Sequence, residues 1–352
     1  MRTQSEAFAL VIEARKYIKN QTPNAISEQT IKGYESEAQR LLTKCESDIN
    51  KILPAIRDTK SKSTYHRRKA AIKYVLMRVL EKQVRLQDKA QRDRHIEDFH
   101  RHIEVINGTL RMLDTIGKST DAWPLETTRR RRSKRQDLHR LPPNWRELMA
   151  DKTEHGKYKI PYLVSAISGC RPSELEKGVK VTFSGAELLI RIDSGIKVTE
   201  NKGQPWREIR YSLNNDNHPL VRRLIQALTS DQQTSSCSVT IFIEKQTNFR
   251  AAMTAAGKTL WPNGPRVTPY CLRHAFGSDL KRSRNITQNE ISAAMGHCVN
   301  KTASYYGQSQ IGKSGATGLE PCLIKAARPI LQTRSPHPES KRSQSYEGTQ
   351  RI

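Results

Sequence analysis

The chain has 352 residues, enough for two domains, because single hydrophobic cores usually stop growing at roughly 250–300 residues. Its 61 Lys and Arg against 35 Asp and Glu give a formal charge of +26, spread along the whole chain, and such a charge implies a polyanionic partner, most simply nucleic acid. No run approaches the roughly 18 apolar residues of a membrane span, the opening MRTQSEAFALVIEARKYIKN has no signal-peptide core, and six scattered cysteines show no Cys-x-x-Cys pair or zinc spacing, so a cytoplasmic protein with free thiols is expected.

Residues 27–44 place Ile31, Tyr34, Ala38, Leu41 and Leu42 at helical spacing, with Ser27 as N-cap. A second helix follows Ser63. Its stripe is Ile72, Val75, Leu76, Val79, Leu80 and Val84, and its other face carries Arg67, Arg68, Lys69, Lys73, Arg78 and Lys82, either to meet phosphates or simply to be solvated. Residues 124–144 offer no apolar period. Pro124, the run Arg129, Arg130, Arg131, Arg132, and the pair Pro142-Pro143 read as a basic linker crossing a duplex, with a nuclear-localisation signal as the alternative. Beyond residue 145 strands join the helices. Glu187–Ile192 and Trp206–Leu213 predict a hairpin, alone or as part of a three-stranded sheet, with Gly195, Asn201 and Gly203 between them. The tail 332–352 is poor in apolar residues and is expected to be disordered.

Four segments can carry chemistry. In the first, an apolar helix containing Leu163, Val164 and Ile167 ends at Gly169, and Pro172 opens the next, so Arg171 sits at the turn, braced by Glu174. A guanidinium there is a phosphate fork or half of a structural ion pair. In the second, Leu272 and Phe276 face the core of a helix begun at Pro269, leaving Tyr270, Arg273 and His274 on a partly polar face. In the third, Thr287 and Glu290 form a capping box and Gly296 ends the helix, placing His297 just past a helix C-terminus, where a histidine can also serve only as a dipole cap. In the fourth, Asn300 caps a short helix carrying Tyr305 and Tyr306, stopped by Gly307. A phenol with an ordinary pKa of about 10 needs positive charge and a hydrogen-bond network to act as a nucleophile; otherwise the pair is packing.

Taken in order, Gly169-Cys170-Arg171-Pro172-Ser173-Glu174, Leu272-Arg273-His274, Gly296-His297 and a tyrosine nine positions later resemble the catalytic signature of the tyrosine recombinase, or phage integrase, family. The resemblance covers about residues 145–320; residues 1–123 agree with the family's core-binding domain only in size and helical character. It implies a mainly α fold with a small antiparallel β-sheet: a helical DNA-binding domain at 1–123, a linker at 124–144 and a mixed α/β catalytic domain at 145–331. It also implies a site-specific recombinase of a mobile element that cuts and rejoins duplex DNA through a 3′-phosphotyrosyl link, without metal or other cofactor.

By the resemblance, Tyr306 is the nucleophile, Arg171 and Arg273 grip the scissile phosphate, and His297 supports them. A hairpin lysine, Lys197 by preference with Lys202 open, protonates the leaving 5′ oxygen. Where the family most often has histidine, three residues before the second arginine, this chain has Tyr270, a phenol that can donate a hydrogen bond but does not titrate near pH 7. The implied assembly is a tetramer on two sites, formed from a chain that is monomeric when free, with an accessory DNA-bending factor as an allowed partner and the nucleoid as its place. A type IB topoisomerase-like strand relaxer and a non-catalytic DNA-binding derivative are the rival readings.

Overall fold

The computed structural model describes residues 3–20, 26–46, 48–118, 138–195, 198, 202–213, 218–229, 236–313 and 318–332. The Arg129–Arg132 run, Lys197 and the tail from residue 333 lie outside the described residues. The chain divides into two compact units, Met1–Arg130 and Arg131–Ile352, and is mainly helical with one small antiparallel sheet.

The N-terminal unit is all helix: α1 (Gln4–Asn20), α2 (Glu28–Lys44), α3 (Ile49–Arg57), α4 (Lys62–Arg92) and α5 (Ile96–Lys118). Ser27 caps α2 as its sequence predicts, its hydroxyl accepting from the Thr30 amide at 3.3 Å. At about 1.5 Å per residue, α4 is long enough to serve two apolar clusters. Ile72 packs with Leu41, Ile52 and Ile56 in one, and Leu80 and Val84 pack with Val11, Ile106 and Leu113 in the other. The basic face of α4 is not uniform. Arg68 donates to the Ala55 and Asp58 carbonyls at 3.0 and 2.6 Å, satisfying acceptors at the end of α3, whereas Arg67 and Lys82 are exposed.

The C-terminal unit starts inside the stretch read as linker. Leu138 and Leu141 are buried in its core beside Trp145, brought to one side by a 3₁₀ turn at Leu138–Arg140 whose spacing the surrounding basic residues conceal. Helices α6 (Trp145–Thr153), α7 (Lys159–Ser168) and α8 (Pro172–Lys177) lead into β1 (Val179–Ser184), β2 (Glu187–Ile192) and β3 (Arg207–Ser212). There follow α9 (Pro219–Thr229), β4 (Ser236–Ile241), α10 (Gln246–Leu260), α11 (Pro269–Arg282), α12 (Gln288–Ala294), α13 (Asn300–Ala303) and β5 (Leu323–Ala326).

The predicted hairpin is β2–β3, with Leu188 opposite Tyr211 and Ile190 opposite Ile209, and it forms the middle of a five-stranded sheet ordered β4-β1-β2-β3-β5. Leu188, Ile190 and Ile192 point inward at every second position. The Tyr211 hydroxyl donates to the Ile167 carbonyl, pinning the sheet to the end of α7. Between α7 and α11 the core is apolar, with Leu163, Val164 and Ile167 packed in one cluster with Leu272, Phe276 and Leu280. Gly169 leaves α7 in the left-handed region at φ 58°, and a Cβ there would lie 2.5 Å from the Phe276 ring. Glycine is required at that turn on both counts. No helix among the described residues is long and apolar enough to cross a membrane.

Candidate functional site

The site grows from three chain reversals that meet at the end of α12. Its capping box forms as predicted, with the Thr287 hydroxyl accepting from the Glu290 amide at 3.3 Å and the Glu290 carboxylate accepting from the Thr287 amide at 2.8 Å. Gly296, at φ 67°, turns the chain out of the helix and leaves the Met295 carbonyl without a helical partner. Both sequence-predicted arginines reach that one oxygen: Arg273 Nη2 donates to it in a short hydrogen bond, and Arg171 Nη2 lies at 3.5 Å. Arg273 Nη1 donates to the Gly169 carbonyl at 2.7 Å, so this guanidinium joins the negative ends of α7 and α12.

Arg273 does not lie on a partly polar face, as its helix position predicts. It is completely buried. The helical period assigns a direction to its Cα–Cβ bond, but its long side chain runs beneath the turns at 169 and 295. Burial, and next the nearby Arg171, push the guanidinium down, to about 9, with Glu174 acting in the opposite direction. His297 is 6% exposed and is held neutral, down at about 2, first by burial and then by Arg273, Arg171 and Arg207. It is therefore not a charged cap on the helix dipole. Arg273 Nη2 lies 3.4 Å from His297 Nε2; if Nε2 accepts, the ring proton is on Nδ1, a buried donor with no partner among the described residues.

Tyr306 joins this group. Its half-buried ring lies with its centroid 4.7 Å from the Arg273 guanidinium carbon and 5.2 Å from each of the His297 and His274 rings. Tyr305 is 67% exposed and faces away from that packing. The short helix predicted to carry both tyrosines ends earlier: α13 stops at Ala303, Asn300 lies within it, and Tyr305 and Tyr306 occupy the following turn. Four residues hold that turn to α11. Lys281 Nζ donates to the Tyr306 carbonyl at 2.6 Å, the Gly307 amide to His274 Nδ1 at 3.3 Å, the Gln308 amide to the Ser278 hydroxyl at 2.9 Å, and the Lys313 amide to Asp279 at 2.9 Å. Gly307, at φ 64°, lies against the α11 backbone so closely that a Cβ would collide with the Ser278 amide.

Arg207, the first residue of β3, also belongs to the cluster, and no motif in the sequence marks it. It is 1% exposed and forks onto the buried Glu174 carboxylate, at 3.1 Å from Nη1 and 2.8 Å from Nη2. Glu174 also accepts from Arg171 Nη1 at 2.6 Å and from the Arg171 amide at 2.7 Å, the brace expected from sequence. Burial pushes the Glu174 carboxyl up, yet Arg207 and Arg171 outweigh it and hold it well below the usual carboxylate range. Gln204, 1% exposed, was equally unmarked. It donates from Nε2 to the His297 carbonyl at 3.0 Å, and its amide reaches the Gly296 carbonyl at 3.3 Å, fixing the β3 end of the hairpin, with exposed Lys202, against the turn that carries His297.

Tyr270 stands apart. It is 40% exposed at the first turn of α11 and makes no hydrogen bond or ring contact with Arg273, His297 or Tyr306. Among the described residues no cluster of His, Cys, Asp or Glu could hold a metal ion. The chain matches no family model, no curated relative and no solved structure.

Proposed function

We propose that this protein is a DNA strand transferase of the tyrosine recombinase type, acting on duplex DNA in the cytoplasm. One observation carries the reading: the cluster gathers buried Arg207 and Arg273 and part-buried Arg171 around one bonded carboxylate, Glu174, with buried His297 beside them and the Tyr306 ring packed on Arg273. An uncompensated buried cation is costly, so the arrangement is suited to an anion, and a phenol beside it suits nucleophilic attack on phosphorus. In the proposed reaction the Tyr306 oxygen bonds to the scissile phosphorus as its proton leaves to solvent. The bond to the 5′ oxygen breaks, and that oxygen takes a proton from a lysine. The phosphotyrosyl link conserves the energy of the broken diester, so the reverse reaction with another 5′ hydroxyl rejoins the strand without ATP.

Arg171 serves as the phosphate grip, Arg273, held by the Gly169 and Met295 carbonyls, supplies fixed positive charge behind it where negative charge builds up, and His297 Nδ1 is a further donor. Lys197 is the candidate acid by its place in the sequence, and Lys202 by the anchoring of Gln204 beside His297. A substrate whose leaving oxygen is replaced by sulfur needs no proton, so it should rescue the alanine variant of the true acid and not the other. Tyr270, exposed at the first turn of α11 and apart from the cluster, is a candidate phosphate donor by its place in the sequence alone. Recombination of two sites by a tetramer goes with the same reading.

A nicked suicide duplex tests it. The expected result is a protein–DNA adduct that survives denaturation and is lost in Tyr306→Phe; tight, salt-sensitive binding with no adduct from the wild type would leave a non-catalytic DNA-binding protein. Relaxation of supercoils without joining of two defined sites would indicate the topoisomerase-like alternative.

A further inference from the structure

We infer that Arg207 is a positioning residue for this reaction: by satisfying Glu174, it leaves the charge of Arg171 uncancelled and turned toward the phosphate. The inference rests on the strand-transfer reading above. Glu174 is fully buried and accepts four hydrogen bonds, from the Arg171 amide, Arg171 Nη1 and both Nη atoms of Arg207. That fills the roughly four lone-pair directions of a carboxylate. Were Arg171 its only cation, the two would form a closed pair of zero net charge, and Arg273 alone would face an incoming anion. With Arg207 present, three guanidiniums against one carboxylate leave two unbalanced positive charges. A phosphodiester under attack by a phenolate also carries two negative charges, one its own and one brought by the nucleophile.

The fold makes room for this third arginine at one place. A Cβ on Gly296 would lie 2.8 Å from Arg207 Nη1 and 3.4 Å from Arg171 Nη1, so a residue without a side chain lets both guanidiniums pass beneath the turn that carries His297. Both Nη atoms of Arg207 are committed to Glu174, so its effect on substrate is exerted through Glu174 and Arg171 rather than by contact.

Single-turnover adduct formation on a suicide duplex is the test, run on two substrates: one with an ordinary scissile phosphate and one with a neutral methylphosphonate there. Arg207→Met should slow the ordinary substrate by about 100-fold while duplex affinity changes by less than about threefold, and the defect should shrink below about tenfold on the methylphosphonate, where one charge fewer must be balanced. The double variant Arg207→Met with Glu174→Gln restores the site's net charge and should recover to within about tenfold of wild type. A purely structural role would instead slow both substrates equally. Equal slowing, an undiminished rate in Arg207→Met, or a double variant that folds yet stays as slow as the single one overturns the inference while leaving the strand-transfer reading intact. Should Arg207→Met fail to fold, the double variant, in which neither buried charge is left alone, carries the test by itself. A wild-type protein that forms no adduct on either substrate overturns the strand-transfer reading, and the role of Arg207 falls with it.

Discussion

One helix, α11, carries two buried ionic groups of opposite design. Asp279 meets Arg146 at 2.7 Å with both side chains 2% exposed, one anion to one cation, and also accepts from the Lys313 amide. Earlier on the same helix, Arg273 shares its surroundings with Arg171 and Arg207, and among the described residues Glu174 is the only carboxylate bonded to the group. The first arrangement is balanced in charge and behaves as part of the core. The second is short of negative charge, a state a protein tolerates where something else supplies it, so the difference separates the residues that hold the fold from those poised for a ligand.

The comparison can be broken or sharpened in four ways, in falling order of size. Asp279→Ala leaves Arg146 charged and alone in the core and should lower stability by about 3–5 kcal/mol in urea unfolding; a loss of under about 1 kcal/mol would mean the pair is no more structural than its neighbour. Acid acts next. His297 is held down to about 2 and His218 to about 3, each chiefly by burial, so the folded state keeps both neutral while an unfolded histidine takes a proton near 6.5. Stability should therefore fall as pH drops below about 6.5, by about 1.4 kcal/mol per pH unit for each histidine, and His297→Asn should halve that slope.

Third, inorganic sulfate should stabilise the wild type by about 1.4 kcal/mol at ten times its dissociation constant, an effect lost in Arg273→Met and kept when the Arg146 pair is altered. Thermal shifts that are the same in both variants would show that the anion does not choose between the two groups. Smallest is Thr287→Ala, which removes the N-cap of the helix whose far end offers Met295 to both arginines. It should cost about 1 kcal/mol with adduct formation near the wild-type rate, as measured by parallel unfolding and suicide-substrate assays.

Local rules made several features legible from sequence. Ser27, Thr287, Gly169 and Gly296 end their helices where capping chemistry requires, and the alternation from Leu188 to Ile192 reads directly as a strand. The strands β1, β4 and β5 are not legible because β5 has four residues, β4 is largely exposed and the burial of β1 alternates only at its start, so the alternation that marks β2 is weak there. The tyrosine helix was read one turn too long, since a cap residue and a following glycine bound the segment without fixing where within it the hydrogen bonds stop. Arg171, Arg273, His297 and Tyr306 were marked by the resemblance to the recombinase signature, and the fold brings them together. Arg207 and Gln204 were not. Each acts through a partner distant in the chain, Glu174 for one and the His297 carbonyl for the other, and a charge beside Trp206 on a strand looks like any solvated cation until the sheet is assembled.

The attachment of residues 306–313 to α11 has a mechanical consequence. Any pull on a molecule joined to Tyr306 would travel along the chain into Lys281, Ser278 and Asp279 before it could peel the ring from Arg273. Because those anchors sit on the same helix as Arg273, load shifts ring and guanidinium as one piece. On the proposed strand-transfer reading, a strand joined to Tyr306 would thus be retained beside Arg273.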